Sequence, residues 1–151
     1  HPSLNVAYFA NEFGSTVTAY SVNPEGTLSE LQTISSLPAD FAGANTGADI
    51  RLTPNGRFLY ASNRGHESIA AFSVDGIAGR LTPIGFFPTE KTPRSFSLDP
   101  KGRFLYAGGQ GSGRIAAYRI NSQNGQLTPL ATYDAGKNPV WVLAVPARQE
   151  D

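Results

Sequence analysis

Glu12, Arg64 and Gln110 hold the same place in three successive copies of one sequence pattern, Arg64 lying 52 residues after Glu12 and Gln110 46 residues after Arg64. A carboxylate, a guanidinium and an amide brought to one spot suit the opening of an ester-like ring. The carboxylate can take a proton from water as a general base, a contribution of roughly 10²–10⁴-fold. A guanidinium can grip a carboxylate or phosphate through paired hydrogen bonds and offset negative charge developing on a carbonyl oxygen. Arg94 is a second candidate for that task, and His66 is a candidate proton carrier. Plainer readings stand beside these. Glu12 can simply pair with an arginine of the next copy, Arg64 can cap neighbouring carbonyls, and His66 in a turn can be a structural hydrogen bonder.

The elements that must position these groups follow from the repeat. Phe58-Leu59-Tyr60 recurs as Phe104-Leu105-Tyr106, Ile69-Ala70-Ala71-Phe72 as Ile115-Ala116-Ala117-Tyr118, and Gly79-Arg80-Leu81-Thr82-Pro83 as Gly125-Gln126-Leu127-Thr128-Pro129, each at an offset of 46. An earlier copy, with Val6-Ala7-Tyr8 and Val17-Thr18-Ala19-Tyr20, lies 52 residues before the middle one, and its extra residues fall in the Pro/Gly-rich stretch 37–47. Each copy contains short runs of alternating β-branched and aromatic residues punctuated by Gly, Pro and Asn, the pattern of antiparallel strands. In the third copy the strands are expected over 94–98, 104–108, 115–120 and 127–133, and no segment has a helical period. A unit of about 40–50 residues with four antiparallel strands is a β-propeller blade.

The expected architecture is therefore all-β: one partial propeller domain over 1–151, with repeats at about 3–47, 48–92 and 93–138 and a closing strand at 139–146. The first copy lacks its leading strand, and Val140-Trp141-Val142-Leu143-Ala144-Val145 reads as a lone leading strand, with Trp141 in the core, an indole near the axis that reaches a ligand being its other reading. In a closed ring such a strand completes the first blade and removes exposed sheet edges. The resulting strand count is about three blades, fewer than a ring needs. The slot shared by Glu12, Arg64 and Gln110 is the end of a second strand, on the face where ligands meet the central channel. Asp49 and Arg94, near the starts of innermost strands, belong to that same face.

Composition narrows the partners. Twelve basic and twelve acidic residues and a pI near 6.9 argue against nucleic acid or a membrane surface, both of which reward a basic excess. No apolar run approaches the ~20 residues that span a bilayer. Without cysteine there is no disulfide framework or thiolate nucleophile, and with only two histidines a structural zinc site is not expected; no cofactor is implied. Gly108-Gly109-Gln110-Gly111-Ser112-Gly113 resembles a phosphate loop but joins two strands and lacks the following helix and Lys-Ser/Thr. The stretch 121–125 lacks the acidic ligands of a calcium loop. His1-Pro2, in a chain without methionine, reads as the start of a piece of a longer protein, a processed mature terminus being the other reading.

The block Ser62-Asn63-Arg64-Gly65-His66-Glu67-Ser68-Ile69-Ala70, following Asn55-Gly56-Arg57-Phe58-Leu59-Tyr60, resembles the lactonase propeller family of bacterial 6-phosphogluconolactonases and fungal carboxymuconate-lactonizing enzymes. Asn11-Glu12, Ser36-Leu37-Pro38 with Phe41 and Asn45, and Thr92-Pro93-Arg94 add to the resemblance, which covers essentially the whole chain. It implies the C-terminal blades of a seven-bladed propeller and the opening or closing of a lactone ring on an acidic sugar or dicarboxylate. It implies that Glu12 is a site glutamate and Arg64 a site arginine, while the family's Gly-Pro-Arg-His strand would fall before His1. Asp49-Ile50-Arg51 stands where the family often has Glu-Ile-Arg. Asp49 and Arg51 are therefore candidate substrate contacts beside Arg94 and Gln110, Asp49 with a shorter reach and Arg51 with strand bracing as its other reading. The expected activity is hydrolysis of a small acidic sugar lactone in the cytoplasm. A non-catalytic binding or scaffold propeller and a carboxymuconate cyclase-type enzyme are the alternatives. Expected protein partners are the N-terminal blades or a second copy of the chain.

Overall fold

The structure, a computed structural model, describes residues 1–146. Its strands form three antiparallel sheets in which sequence neighbours are also spatial neighbours. The first contains β1 (Val6–Asn11), β2 (Thr16–Val22) and β3 (Leu28–Ser35). The second contains β4 (Thr46–Leu52), β5 (Phe58–Arg64), β6 (Ser68–Val74) and β7 (Leu81–Pro88). The third contains β8 (Pro93–Leu98), β9 (Phe104–Gly109), β10 (Arg114–Ile120) and β11 (Leu127–Asp134). These are propeller blades, and the repeat extends to their irregularities: the third strand of each slips register at one slot, Ala19/Tyr20, Ala71/Phe72 and Ala117/Tyr118. Bulges at that slot increase the local twist of every blade.

Stacking explains the composition of the middle blade. A strand points successive side chains to opposite faces, so a sheet packed on both faces must be apolar at consecutive positions. Phe58, Tyr60, Ile69 and Ala71 pack on the third blade, beside Phe96, Leu105 and Tyr118. Leu59, Ala61, Ala70 and Phe72 pack on the first, beside Val17 and Tyr8. The outermost strand of the third blade has no such cover, and Leu130 and Tyr133 on β11 are exposed.

Polar pins set the spacing of the stack. Tyr8 donates its hydroxyl hydrogen to the carbonyl of Gly79 in the next blade at 2.8 Å, and Tyr60 makes the same bond to Gly125 at 2.9 Å. Both glycines are left-handed, with φ of 70° and 73°. A Cβ on Gly125 would lie 2.5 Å from Cδ1 of Phe58, and one on Gly79 2.8 Å from Cγ2 of Val6. Only glycine combines this backbone conformation with so close an approach.

The expected terminal strand at 139–146 forms no ladder. Instead Val142 N–H donates to the hydroxyl of Ser95 and Ala144 N–H to that of Ser97, at 3.3 and 3.1 Å. The segment nevertheless keeps the place of a leading strand. Asp49 accepts from Phe96 N–H across the preceding blade boundary, 47 positions on, as Ser95 accepts from Val142. Asn138 (φ 61°) and Thr92 (φ 57°), 46 residues apart, also share the left-handed turn before a proline. A leading strand forms its ladder with the second strand of its own blade, as β4 does with β5 and β8 with β9, and no strand among the described residues takes that place beside 139–146. Trp141, expected in the core, has no such strand beside it and is 69% exposed.

Gly125→Ala is expected to lower unfolding free energy by roughly 1–3 kcal/mol, from left-handed strain plus the clash with Phe58. Gly26→Ala, at a φ of 84° with nothing within 4 Å of the added methyl, should cost clearly less in the same denaturant titration. Burial pushes the Tyr8 hydroxyl from 10.0 up to about 12 and raises Tyr60 as well. A phenol whose folded pKa is raised supports the fold fully below pH 10 and loses that contribution as pH climbs through about 12. Denaturation midpoints should therefore fall above pH 10, and Tyr60→Phe should flatten that fall.

Candidate functional site

Glu12 lies in the turn after β1, where its carbonyl accepts a 2.7 Å hydrogen bond from Gly47 N–H at the start of β4. Arg64 ends β5, the corresponding place one blade on. Its Nη2 donates to Oε1 of Glu12 at 2.5 Å and to the carbonyl of Gly47 at 2.8 Å. One guanidinium nitrogen thus closes the corner between the first two blades. The pairing and carbonyl-capping roles foreseen for these residues are both present. Arg64 is largely enclosed, its Nε buried without a hydrogen-bond partner, while the Glu12 side chain is 54% exposed.

Gln110 follows β9 and is held by its own N–H donating to the carbonyl of Thr92 at 2.9 Å. Arg94, next to β8's first residue, is exposed. Glu12, Arg64, Arg94 and Gln110 line one cavity of about 680 Å³ together with Ala48, Ser95, Val140 and Trp141. Two guanidiniums face one carboxylate there, so the mouth carries a net positive charge and suits an anionic ligand.

Three of the predicted residues are placed elsewhere. Asp49 is occupied: Oδ2 accepts from Arg51 Nη2, Ser95 Oγ and Phe96 N–H, each at 3.1 Å, and Oδ1 accepts from Ile50 N–H at 2.8 Å. Arg51 adds a bond from Nε to the carbonyl of Phe96 at 3.2 Å. The pair ties β4 to β8, because a leading strand's inner edge has backbone groups that no ladder satisfies. Asp49 and Arg51 therefore brace the blades and do not line the cavity. His66 sits in the β5–β6 turn with Nδ1 2.7 Å from Ser68 Oγ and its ring edge-on to Phe41, centroids 4.8 Å apart. It too lies outside the cavity lining. Among the described residues no three His, Cys, Asp or Glu side chains converge as metal ligands.

Ser95 is not among the residues the sequence pointed to, and Trp141 had a ligand-reaching position only as its second reading. A signal existed, since Asp49, Ser95 and Trp141 are spaced by 46 and share one slot facing the axis.

The chain belongs to the family described as Lactonase, 7-bladed beta-propeller, which it matches over residues 1–144. It is 46% identical over 99 residues to an uncharacterized protein of Lactococcus lactis subsp. cremoris (strain MG1363), covering 64% of this chain and 29% of that protein. It is 42% identical over 98 residues to a protein named 6-phosphogluconolactonase from Enterobacter sp. (strain 638), covering 64% of this chain and 30% of that one. The solved Pseudomonas aeruginosa periplasmic gluconolactonase superposes with a TM-score of 0.84 at 29% identity, over 88% of this chain and 38% of that one. The chain thus spans under a third of the curated relatives' length.

Asp49→Ala leaves Phe96 N–H and Arg51 without their acceptor and is expected to cost roughly 1–3 kcal/mol, read as a lower thermal midpoint. Asp49→Asn, which keeps an acceptor oxygen, should lose less.

Proposed function

We propose that this chain carries part of the site of a sugar-lactone hydrolase of the 6-phosphogluconolactonase type. The observation that carries the reading is the convergence of Glu12, Arg64, Arg94 and Gln110 on one cavity. The names of the Enterobacter and Pseudomonas relatives support the substrate class.

In this reading the lactone sits with its carbonyl toward the arginines. Glu12, oriented by Arg64, takes a proton from a water that attacks the carbonyl carbon. Negative charge moves to the carbonyl oxygen, where Arg94 and the Gln110 amide stabilise it. As the tetrahedral intermediate collapses, the bond from carbonyl carbon to ring oxygen breaks and the ring oxygen takes the proton back from Glu12. The products are a carboxylic acid and a free hydroxyl on one open chain, and the acid then releases its proton. The excess of guanidinium over carboxylate holds an acidic substituent of the sugar. A phosphorylated substrate would not cross a membrane, which favours a cytoplasmic setting. The Pseudomonas protein, called periplasmic, marks the other possibility for an uncharged lactone. No helix among the described residues is long and apolar enough to cross a membrane.

Hydrolysis is followed by acid release with 6-phosphoglucono-1,5-lactone and glucono-1,5-lactone, above the spontaneous rate. Glu12→Gln is expected to lower kcat by roughly 10²–10⁴-fold with little change in KM. Unchanged turnover in that variant would remove the general-base role, and binding without turnover in the wild type would favour a non-catalytic propeller.

A further inference from the structure

The sequence has one tryptophan, and it is not in the core. Trp141 lines the cavity with Glu12, Arg64 and Arg94 while remaining 69% exposed. Its place is fixed on both sides. The next residue, Val142, is bonded through its N–H to Ser95 Oγ. One face of the indole is covered by Arg51, whose Cζ stands 5.9 Å from the ring centroid, within cation–π range. Arg51 is itself held by Asp49 and the Phe96 carbonyl and does not line the cavity. The indole therefore has a supported back, and its exposed remainder belongs to the cavity wall.

We propose that Trp141 is a stacking platform for the closed sugar ring, with Arg51 as the residue that positions it; this rests on the lactonase reading of the cavity. A six-membered lactone presents a face of C–H bonds, slightly positive, to the electron-rich face of an indole, while its hydroxyls point outward to polar groups. The opened acid has gained the elements of water and has no rigid C–H face. The platform thus recognises substrate over product, and hydrolysis removes the feature that held the molecule. Arg64 and Arg94 hold the acidic substituent and attract the newly formed carboxylate as well, so only the platform favours ring over chain.

Calorimetry on the intact protein with glucono-1,5-lactam, a ring that does not hydrolyse, against gluconate gives the test. Trp141 is the sole tryptophan of this sequence, and the wild-type minus Trp141→Phe difference in emission isolates its signal. The lactam should shift that signal, and Trp141→Ala should weaken its binding about tenfold while changing gluconate binding by less than about twofold. Trp141→Phe should keep most of the lactam affinity, and Arg51→Ala should lose part of it. Circular dichroism confirms that each variant keeps the sheet content of the parent. An unaltered ratio of lactam to gluconate affinity in Trp141→Ala overturns the platform while leaving the hydrolase reading standing. Failure of both ligands to bind the wild type overturns the lactone site and the platform together.

Discussion

Each blade is pressed face to face on the next, and a tyrosine hydroxyl reaching across to a glycine carbonyl sets how close they come. Tyr8 to Gly79 and Tyr60 to Gly125 are the same bond at successive boundaries. The acceptor must be glycine because its backbone is left-handed and presses on Val6 or Phe58. Much else follows from this spacing. It requires β5 and β6 to be apolar on both faces, and it brings the leading strands β4 and β8 near enough for side chains to cross between them. It also sets Glu12 within reach of Arg64, at the ends of corresponding strands one blade apart.

Charged groups near the axis divide according to what backbone lies beside them. Asp49 and Arg51 face the unpaired inner edge of β8 and are consumed in satisfying it. Arg94 faces open space, and Glu12, paired with Arg64 through Oε1, keeps a half-exposed carboxylate on the cavity wall. The distinction is physical: an unsatisfied backbone group near the axis recruits the nearest short polar side chain. Asp49 serves that purpose at one boundary and the smaller Ser95 at the next. The third member of this slot, Trp141, has no hydrogen-bonding oxygen to offer and instead forms part of the cavity wall.

The same logic explains how a repeat becomes a site. Backbone slots recur at fixed spacing, but one slot holds Glu12, Arg64 and Gln110 in turn, three side chains with different chemistry on equivalent supports. Their supports are the strand ends, held by the Gly47 N–H to Glu12 carbonyl bond and the Gln110 N–H to Thr92 carbonyl bond. Repetition gives the positions and divergence gives the function, as expected where chemistry is grafted onto a common fold.

How much of this was legible follows from which interactions are local in the repeat. The blades and the strand boundaries of the third, to within a residue, could be read from the repeat, because identical apolar patterns impose identical strands. Glu12, Asp49, Arg64, His66, Arg94 and Gln110 were all expected at one mouth, and Glu12, Arg64, Arg94 and Gln110 line the cavity. Offsets carry no information on what a side chain meets in the adjacent blade. For that reason Asp49 and Arg51 read as substrate contacts while their polar atoms bond across to β8, and His66 reads as a proton carrier and packs beside Phe41. Trp141 looked like core, since an aromatic on a leading strand usually is. The sequence alone determined the periodic backbone, because strand formation depends on alternation and turns within each copy. Only the tertiary structure decided which polar groups are spent and which remain free, because that depends on backbone edges supplied by a neighbouring blade.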